Sequence, residues 1–254
     1  MANIAERQKI ILERLKQQGF VKVSDLSREL NASEVTIRKD LKLLEEKKLL
    51  QRNHGSASTL TSIISDRHID VKEKIQIEEK IRIARAANKL LEPDDTIIIA
   101  SGTTLLAFAN AIDIHDHITV ITSSVRVSLT LCYNPFIDVV QLGGTIRKNS
   151  VSVIGHYAES TLASLSCSKL FIGVDGIDLD YGLTTSDMNE ARINQQMIAA
   201  AQKIIVLTDS SKFGKRGFCK ICGLDNVHHI ITDTNAPAHI IRMIQERNIE
   251  VTLV

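Results

Sequence analysis

Asn31-Ala-Ser-Glu-Val-Thr-Ile-Arg-Lys-Asp-Leu-Lys-Leu-Leu44 is the stretch whose reading decides how this chain begins to fold. Ser33 is placed to cap a helix, and Glu34 falls in the first turn, where the helix dipole favours a negative charge. Ile37, Leu41 and Leu44 then recur at helical spacing and share one face. The opposite face carries Val35, Lys39, Lys42 and Glu46, flanked by Thr36 and Arg38. The pattern predicts a helix from Ser33 to about Lys48, with one side anchored and the other available to a partner.

Working outward, Asn3-Ile-Ala-Glu6 has the spacing of a capping box, and Ile10, Ile11 and Leu15 continue it on a helical period. Gly19 stops that helix. Val21 and Val23 lead to Ser24, read as the N-cap of a second short helix whose apolar side is Leu26 and Leu30, and Asn31-Ala-Ser33 turns the chain into the third. Beyond it, Leu49-Leu50 and Gln51-Arg-Asn-His-Gly-Ser56 read as a β-wing whose tip carries Arg52 and His54. Three helices followed by a wing make a winged helix-turn-helix pattern.

The overall charge of +1 hides a division. Residues 1–58 hold 12 Lys/Arg against 8 Asp/Glu, whereas residues 59–254 hold 19 against 22. A basic head on a mildly acidic body suits a nucleic-acid-binding unit joined to one with a different task. The division places a DNA-binding domain at 1–58, a Ser/Thr-rich linker at 59–72 and a second domain at 73–254.

That second domain opens with a charged amphipathic helix expected from Glu73 to Leu91 and ended by Pro93-Asp94-Asp95. Apolar runs follow at Thr96–Ala100, Ile118–Thr122, Ile137–Leu142, Lys169–Val174, Lys203–Thr208 and His229–Thr232. Short β-rich runs separated by helix-length stretches predict an α/β fold with a mostly parallel sheet covered by helices. No run of 18 apolar residues is present, and the start lacks the basic-then-apolar layout of a secretory signal. The expectation is a cytoplasmic protein with reduced cysteines and no membrane partner, because four cysteines this dispersed make no disulfide framework.

A helix such as the third fits the major groove of DNA, where Arg and Lys reach base acceptors and hydroxyls hold phosphates. The same residue types also make an ordinary solvated helix face. Context decides for DNA: capped helices, a tight turn, a basic outer face and a basic wing occur together. The candidate DNA contacts are Ser24, Ser33, Thr36, Arg38, Lys39, Lys42, Arg52 and His54.

In the second domain, Ser101-Gly102-Thr103-Thr104 follows a strand and opens a helix, so its amides and hydroxyls form a natural anion site. Further polar turns follow later strands: Gly143-Gly144, Asp175-Gly176-Ile-Asp178, Gly182-Leu-Thr-Thr185 and Asp209-Ser-Ser-Lys-Phe-Gly214. Turns at the carboxyl ends of strands in an open α/β sheet converge on one crevice. There Lys212 would neutralise a phosphate while Asp175, Asp178 and Glu190 accept bonds from sugar hydroxyls. Each carboxylate also has a plainer reading as a turn cap or an exposed helix residue.

Taken together, Glu6-Arg7 with Ile11, Val23-Ser-Asp-Leu26, Ser33, Thr36-Ile-Arg-Lys-Asp-Leu41, Leu44 and Arg52-Asn-His-Gly55 resemble the DeoR family of bacterial regulators, in its glycerol-3-phosphate-repressor-like subgroup. The resemblance continues through Ser101-Gly-Thr-Thr104, Thr119-Val-Ile-Thr-Ser-Ser124, Leu142-Gly-Gly144, Phe171-Ile-Gly-Val-Asp-Gly-Ile-Asp178, Gly182-Leu-Thr-Thr185 and Asp209-Ser-Ser-Lys-Phe-Gly214. It implies a sensor domain similar to sugar-phosphate isomerases, a sugar-phosphate effector, a double-stranded DNA operator and a homo-oligomer acting as a repressor of a sugar-catabolism operon. Three positions depart from the family pattern. Lys39 stands where a second Arg is usual, Ser56 where a second Gly is usual, and Ala100 where many relatives have Asp.

The rival reading is a sugar-phosphate isomerase or deaminase-like enzyme with an appended DNA-binding domain, since carboxylates beside a Lys can move protons next to a carbonyl. The DNA-reading head makes binding a sufficient explanation, so no catalytic residue and no cofactor is assigned. RNA binding lacks aromatic platforms, with aromatics at 4% and no Trp. Cys219-Lys-Ile-Cys222 with His228-His229 has a sterically possible zinc spacing, but residues three apart on a strand point to opposite faces. Buried structural thiols are the preferred reading, and no metal is expected.

Overall fold

The computed structural model describes residues 4–254 except Gly19, Lys48, His54 and residues 60–65. The wing residue His54, the cap Asn3 and the helix stop Gly19 lie outside the described residues. The chain divides into two compact units, Met1–Ile63 and Ile64–Val254.

The first unit runs α1 (Ile4–Gln18), β1 (Phe20–Lys22), α2 (Val23–Glu29), α3 (Glu34–Glu46), β2 (Leu50–Asn53) and β3 (Ser56–Thr59). β3 pairs antiparallel with both β1 and β2, giving the strand order β1-β3-β2. Gly55, at φ +72°, turns the wing hairpin in a conformation that costs glycine little. Ile11, Leu15, Leu26, Ile37, Leu41 and Leu44 close the core between the three helices, as the helical spacing required. Ser24 is not a cap: Lys22 holds the N-cap position without a side-chain bond, and Ser24 sits exposed inside the first turn of α2. The strand pairing of Val21 carries the chain into the helix directly, so no hydroxyl cap is needed.

The second unit continues α4 (Ile69–Glu73), α5 (Ile77–Asn88), β4 (Thr96–Ile99), α6 (Thr103–Ala111), β5 (Ile118–Thr122), α7 (Val125–Leu131), β6 (Ile137–Gln141), β7 (Thr145–Arg147), β8 (Ser152–Ile154) and α8 (His156–Leu162). It ends with β9 (Cys167–Ile172), β10 (Gly176–Asp178), β11 (Gly182–Thr185), α9 (Met188–Ala200), β12 (Ala201–Leu207), β13 (Cys219–Cys222), β14 (His229–Thr232), α10 (Ala238–Gln245) and β15 (Glu250–Leu253). Seven of these strands form one parallel sheet in the order β15-β14-β12-β9-β4-β5-β6.

Alternation along the central strands explains their unbroken apolar runs. Ile98, Leu170, Ile172, Ile204 and Val206 face one core with residues of α8, α9 and α10, while Ile97, Ile99, Phe171, Ile205 and Leu207 face the other with residues of α5, α6 and α7. Both faces are covered, so most strand positions on either face are apolar, and the buried Lys169 of β9 is held by Glu92 and Asp95. Phe108 of α6 and Phe171 of β9 meet across the second core with ring centroids 4.5 Å apart.

The helix read as Glu73–Leu91 begins only at Ile77 and ends at Asn88, set apart from α4, whose last residue is Glu73, by Gln76 at φ +54°. Residues 66–72, read as part of a linker, belong to the second unit and carry α4, held by bonds that the Ser/Thr-rich composition does not reveal. The strand β15 and the small antiparallel elements β7-β8 and β10-β11-β13 were not anticipated as strands, apart from Cys219–Cys222.

Candidate functional site

Strand order reverses at β4. From β4 the chain steps outward through β5 to β6, then returns to lay β9 on the other side of β4 and proceeds to β12. The carboxyl ends of β4 and β9 therefore lie where strand order reverses, the usual ligand position in such sheets. Gly173, just after β9, shows how closely the loops meet: a Cβ there would lie 2.7 Å from the Leu105 side chain, 3.8 Å from the Ser101 carbonyl oxygen and 3.9 Å from the Leu207 carbonyl oxygen. Three strand ends thus converge at one point.

Ser101-Gly-Thr-Thr104 fills the first of these loops. Gly102, at φ +136°, is the N-cap of α6 and supplies no side-chain acceptor to the first-turn amides. An anion would satisfy amides and dipole together. Thr104 is buried, while Ser101, Gly102 and Thr103 are half-exposed at the opening.

Asp175 is 8% exposed and fully engaged. Its Oδ1 accepts from Lys72 Nζ at 2.8 Å, and its Oδ2 accepts from Ser186 N at 3.0 Å, Ser186 Oγ at 2.9 Å and Thr185 Oγ1 at 3.2 Å. Burial opposes ionisation, but the Lys72 charge, bonds from Lys72 and Ser186, and the Lys212 charge together hold Asp175 below the ordinary carboxylate range. Glu190, at the start of α9, moves the other way: burial and the Asp175 charge push it up, against Ser150, Arg147 and Lys72. Thr185 Oγ1 lies 3.2 Å from Asp175 and 3.3 Å from Glu190, so one hydroxyl spans two carboxylates in different protonation environments.

Cations gather around the same place. Lys80 is buried and donates to the carbonyls of Lys72 at 2.6 Å and Ile75 at 2.5 Å. Burial pushes its pKa down, and the charges of Lys212 and Lys72 add to the effect while Asp209 and Glu73 oppose it. Lys212 itself ends a short 3-10 turn (Ser210–Lys212) capped by Asp209, whose carboxylate accepts from Ser211 N at 3.0 Å. The charges of Lys72 and Lys212 reach both Lys80 and Asp175, and a cluster of cations of this kind suits an anion.

The other expected residues divide by role. Asp178 accepts from Arg216 at 2.9 Å and from the amides of Asp180 and Tyr181 at 3.0 and 2.8 Å, so it closes the β10-β11 hairpin, the plainer of its two readings. Gly176 is required by packing, since a Cβ would come within 2.4 Å of the Lys215 carbonyl oxygen. Gly144, at φ +146°, lets the chain pass so near the Ile154 carbonyl oxygen that a Cβ would lie 2.8 Å from it, and Gly143 beside it is open. Those two glycines lead into β7 and Arg147, which sequence reasoning missed. Arg147 pairs with Asp66, with Asp187 at 3.3 Å and with Glu190 at 3.4 Å. Lys72, Lys80 and Asp66 were also missed. Lys72 and Asp66 fell in the presumed linker, and nothing in their spacing points to a strand-end crevice far along the chain.

Cys219–Cys222 is a strand, as read, paired with β11. Its thiols are half-buried rather than buried, and burial pushes Cys222 up to about 11.

In the first unit, Ser33 caps α3 as expected, its Oγ accepting from Thr36 N at 3.2 Å and lying 2.9 Å from Thr36 Oγ1. Arg38, Lys39 and Lys42 are exposed along the outer face of α3. Arg38 bonds Glu34 at 2.9 Å, and Lys42 lies 4.0 Å from Glu46. Arg52 of β2 is tied to Glu45 of α3 through its amide at 2.9 Å and its guanidinium at 3.8 Å, which fixes the wing against the helix.

A winged helix-turn-helix joined to a doubly wound sheet with a polar strand-end crevice defines a ligand-responsive transcription regulator. Among the described residues, no helix is long and apolar enough to cross a membrane. Residues 7–63 match the DeoR-like helix-turn-helix domain and residues 75–234 match the DeoR C terminal sensor domain. The chain belongs to the DeoR family of transcription regulators.

Its relatives include a protein named putative aga operon transcriptional repressor of Escherichia coli O157:H7, 35% identical over 98% of this chain and 94% of the relative. The glycerol-3-phosphate regulon repressor of Escherichia coli strain K12 is 30% identical over 98% of both chains. The HTH-type transcriptional repressor CsqR of the same strain is 32% identical over 96% of this chain and 93% of the relative. Among solved structures, ribose 5-phosphate isomerase A from Methanocaldococcus jannaschii superposes with a TM-score of 0.42 at 17% identity, covering 55% of this chain and 56% of that one. That similarity is too slight to carry a conclusion.

Proposed function

We propose that this regulator represses a sugar-catabolism operon by binding double-stranded operator DNA as a cytoplasmic homo-oligomer, and that a phosphorylated sugar or polyol releases it. The observation that carries the reading is the crevice itself. Ser101–Thr104 at the amino end of α6 and the lysines around Lys212 suit a phosphate, while sugar hydroxyls would take the place of donors that Asp175 and Glu190 now accept from. The names of the relatives, repressors of an aga operon and of a glycerol-3-phosphate regulon, point the same way. DNA contacts are assigned to Ser24, Ser33, Thr36, Arg38, Lys39 and Lys42 of the helices and to Arg52 and His54 of the wing.

Thermal melting of the purified protein against sugar phosphates and their parent sugars tests this reading, because a ligand selective for the folded state raises the melting point by mass action. A shift with one phosphate and none with its parent sugar is the expected result, followed by release of operator DNA at the same concentrations. No shift across triose, pentose and hexose phosphates would defeat the sensor assignment.

A further inference from the structure

Only residues 60–65 separate Thr59, the end of β3 in the DNA-reading unit, from Asp66 in the sensor unit. The segment entering the sensor unit is fastened at both ends of its length. Asp66 pairs with Arg147 and accepts from Asn149 Nδ2 at 2.6 Å, and the Ile69 amide donates to the Asn149 carbonyl at 2.7 Å. Lys72 reaches Asp175 at 2.8 Å, and the neighbouring Glu73 accepts from Arg126 at 2.9 Å. Beyond it the left-handed Gln76 breaks the backbone, so α4 is a separate short piece rather than an extension of α5.

We propose that residues 66–73 are a latch across the sensor crevice, opened by a ligand that carries both a phosphate and hydroxyls, and that its opening transmits ligand binding to the DNA-reading unit. The proposal rests on the sugar-phosphate reading above and specifies how that site regulates. Lys72 and Asp175 hold each other, and a phosphorylated sugar offers each a replacement: phosphate oxygens for the ammonium, hydroxyl donors for the carboxylate. Inorganic phosphate alone would leave Asp175 buried without its cation. A plain sugar would leave Lys72 without a counter-charge. Asp175 is buried and Lys72 half-buried, so taking the cation from Asp175 is costly unless donors replace it, and the latch answers only to a ligand with both groups.

Ser186 joins the two fastenings, since its Oγ lies 2.9 Å from Asp175 Oδ2 and 3.4 Å from Asp66 Oδ1. A group that takes over Asp175 therefore disturbs the Asp66 end as well.

Backbone hydrogen–deuterium exchange on the full chain tests the latch without any ligand. In Lys72→Met and in Asp175→Asn, exchange at residues 66–73 is expected to quicken about tenfold, with α3 and β9 unchanged and Lys72→Arg close to wild type. Affinity for a duplex selected by the wild-type protein from a random pool should fall about tenfold in the same two variants. Wild-type exchange at 66–73 overturns the latch, and unchanged duplex affinity overturns its role in transmission. The probes for the second arm are triose, pentose and hexose phosphates, their parent sugars and inorganic phosphate. A sugar phosphate that protects residues 101–104 without loosening 66–73 overturns this inference while leaving the sugar-phosphate reading intact. Loosening by inorganic phosphate or by a parent sugar alone overturns the requirement for both groups. Failure of every phosphate to protect 101–104 removes the sugar-phosphate reading, and the ligand half of the proposal with it.

Discussion

Arg7 of α1 donates through Nε to Asp40 Oδ2 at 2.7 Å, pinning the first helix to the inward side of α3. Asp40 is 2% exposed among Ile37, Leu41 and Leu44, and a buried carboxylate needs such a partner. Asp40→Ala is therefore expected to lower the melting temperature and weaken DNA binding although Asp40 is buried and away from the proposed DNA contacts. Adding Arg7→Ala should cost less than the two single effects combined. Additive losses in that double-mutant cycle would show that the pair does not act as a unit.

Replacing Thr36 and Arg38 together by Ala should weaken operator binding by about 1–3 kcal/mol for the Arg38 base contact, with a further loss for the Thr36 phosphate contact, and with the ligand-induced melting shift preserved. Lys42→Ala should instead weaken binding to all duplexes and reduce the salt slope by about 1. Titration of a specific and a scrambled duplex at several salt concentrations separates the two, and an unchanged specific affinity would remove α3 as the reading helix.

Lys212→Ala should lower affinity for the phosphorylated effector by about tenfold or more, since hydrogen bonds to charged groups are worth about 1.5–3 kcal/mol. Operator affinity without ligand should not change. Calorimetric titration of wild type and variant with the compound that shifts melting checks both statements.

Acid stability follows from the two buried carboxylates with opposite signs. Asp175 is depressed in the folded state, so its contribution is complete above the ordinary Asp value and is lost as pH falls through the depressed one. Glu190 is raised, so its protonation favours folding as pH falls through that raised value, and its ionisation is a cost above it. Asp175→Asn should flatten the acid limb of a melting-temperature profile, and Glu190→Gln should flatten the higher part. An Asp175→Asn profile parallel to wild type would show that the Lys72 pair contributes nothing to the acid limb.

Alkylation by iodoacetamide should order the cysteines by exposure and by access to thiolate. Cys132 is exposed and reacts first. Cys167 is buried, and Cys222, pushed up to about 11, holds little thiolate at a mildly alkaline pH, so both should be spared until the protein unfolds. Mass spectrometry of a timed reaction reads the order. Early labelling of Cys222 would contradict the strand packing of β13.

The sequence by itself determined whatever depends on neighbours in the chain. Ser33 caps α3 because its hydroxyl needs only the amide three residues on, and Ile37, Leu41 and Leu44 are buried because helical geometry puts them on one face. The apolar runs of β4, β5, β9, β12 and β14 announced a sheet covered on both faces, and Ser101–Thr104 announced a glycine turn between a strand and a helix start because the three are consecutive. Tertiary structure alone decided which distant groups meet. Nothing local distinguishes Asp178, spent on Arg216 and a hairpin turn, from Asp175, which faces Lys72 across 103 positions of chain. Arg147 and Asp66 looked like surface charges for the same reason, until the return of the chain from β6 to β9 brought them to the end of the sheet where Glu190 lies. Periodicity encodes which face of an element is buried, whereas the partner of a charge is fixed only once strand order is fixed.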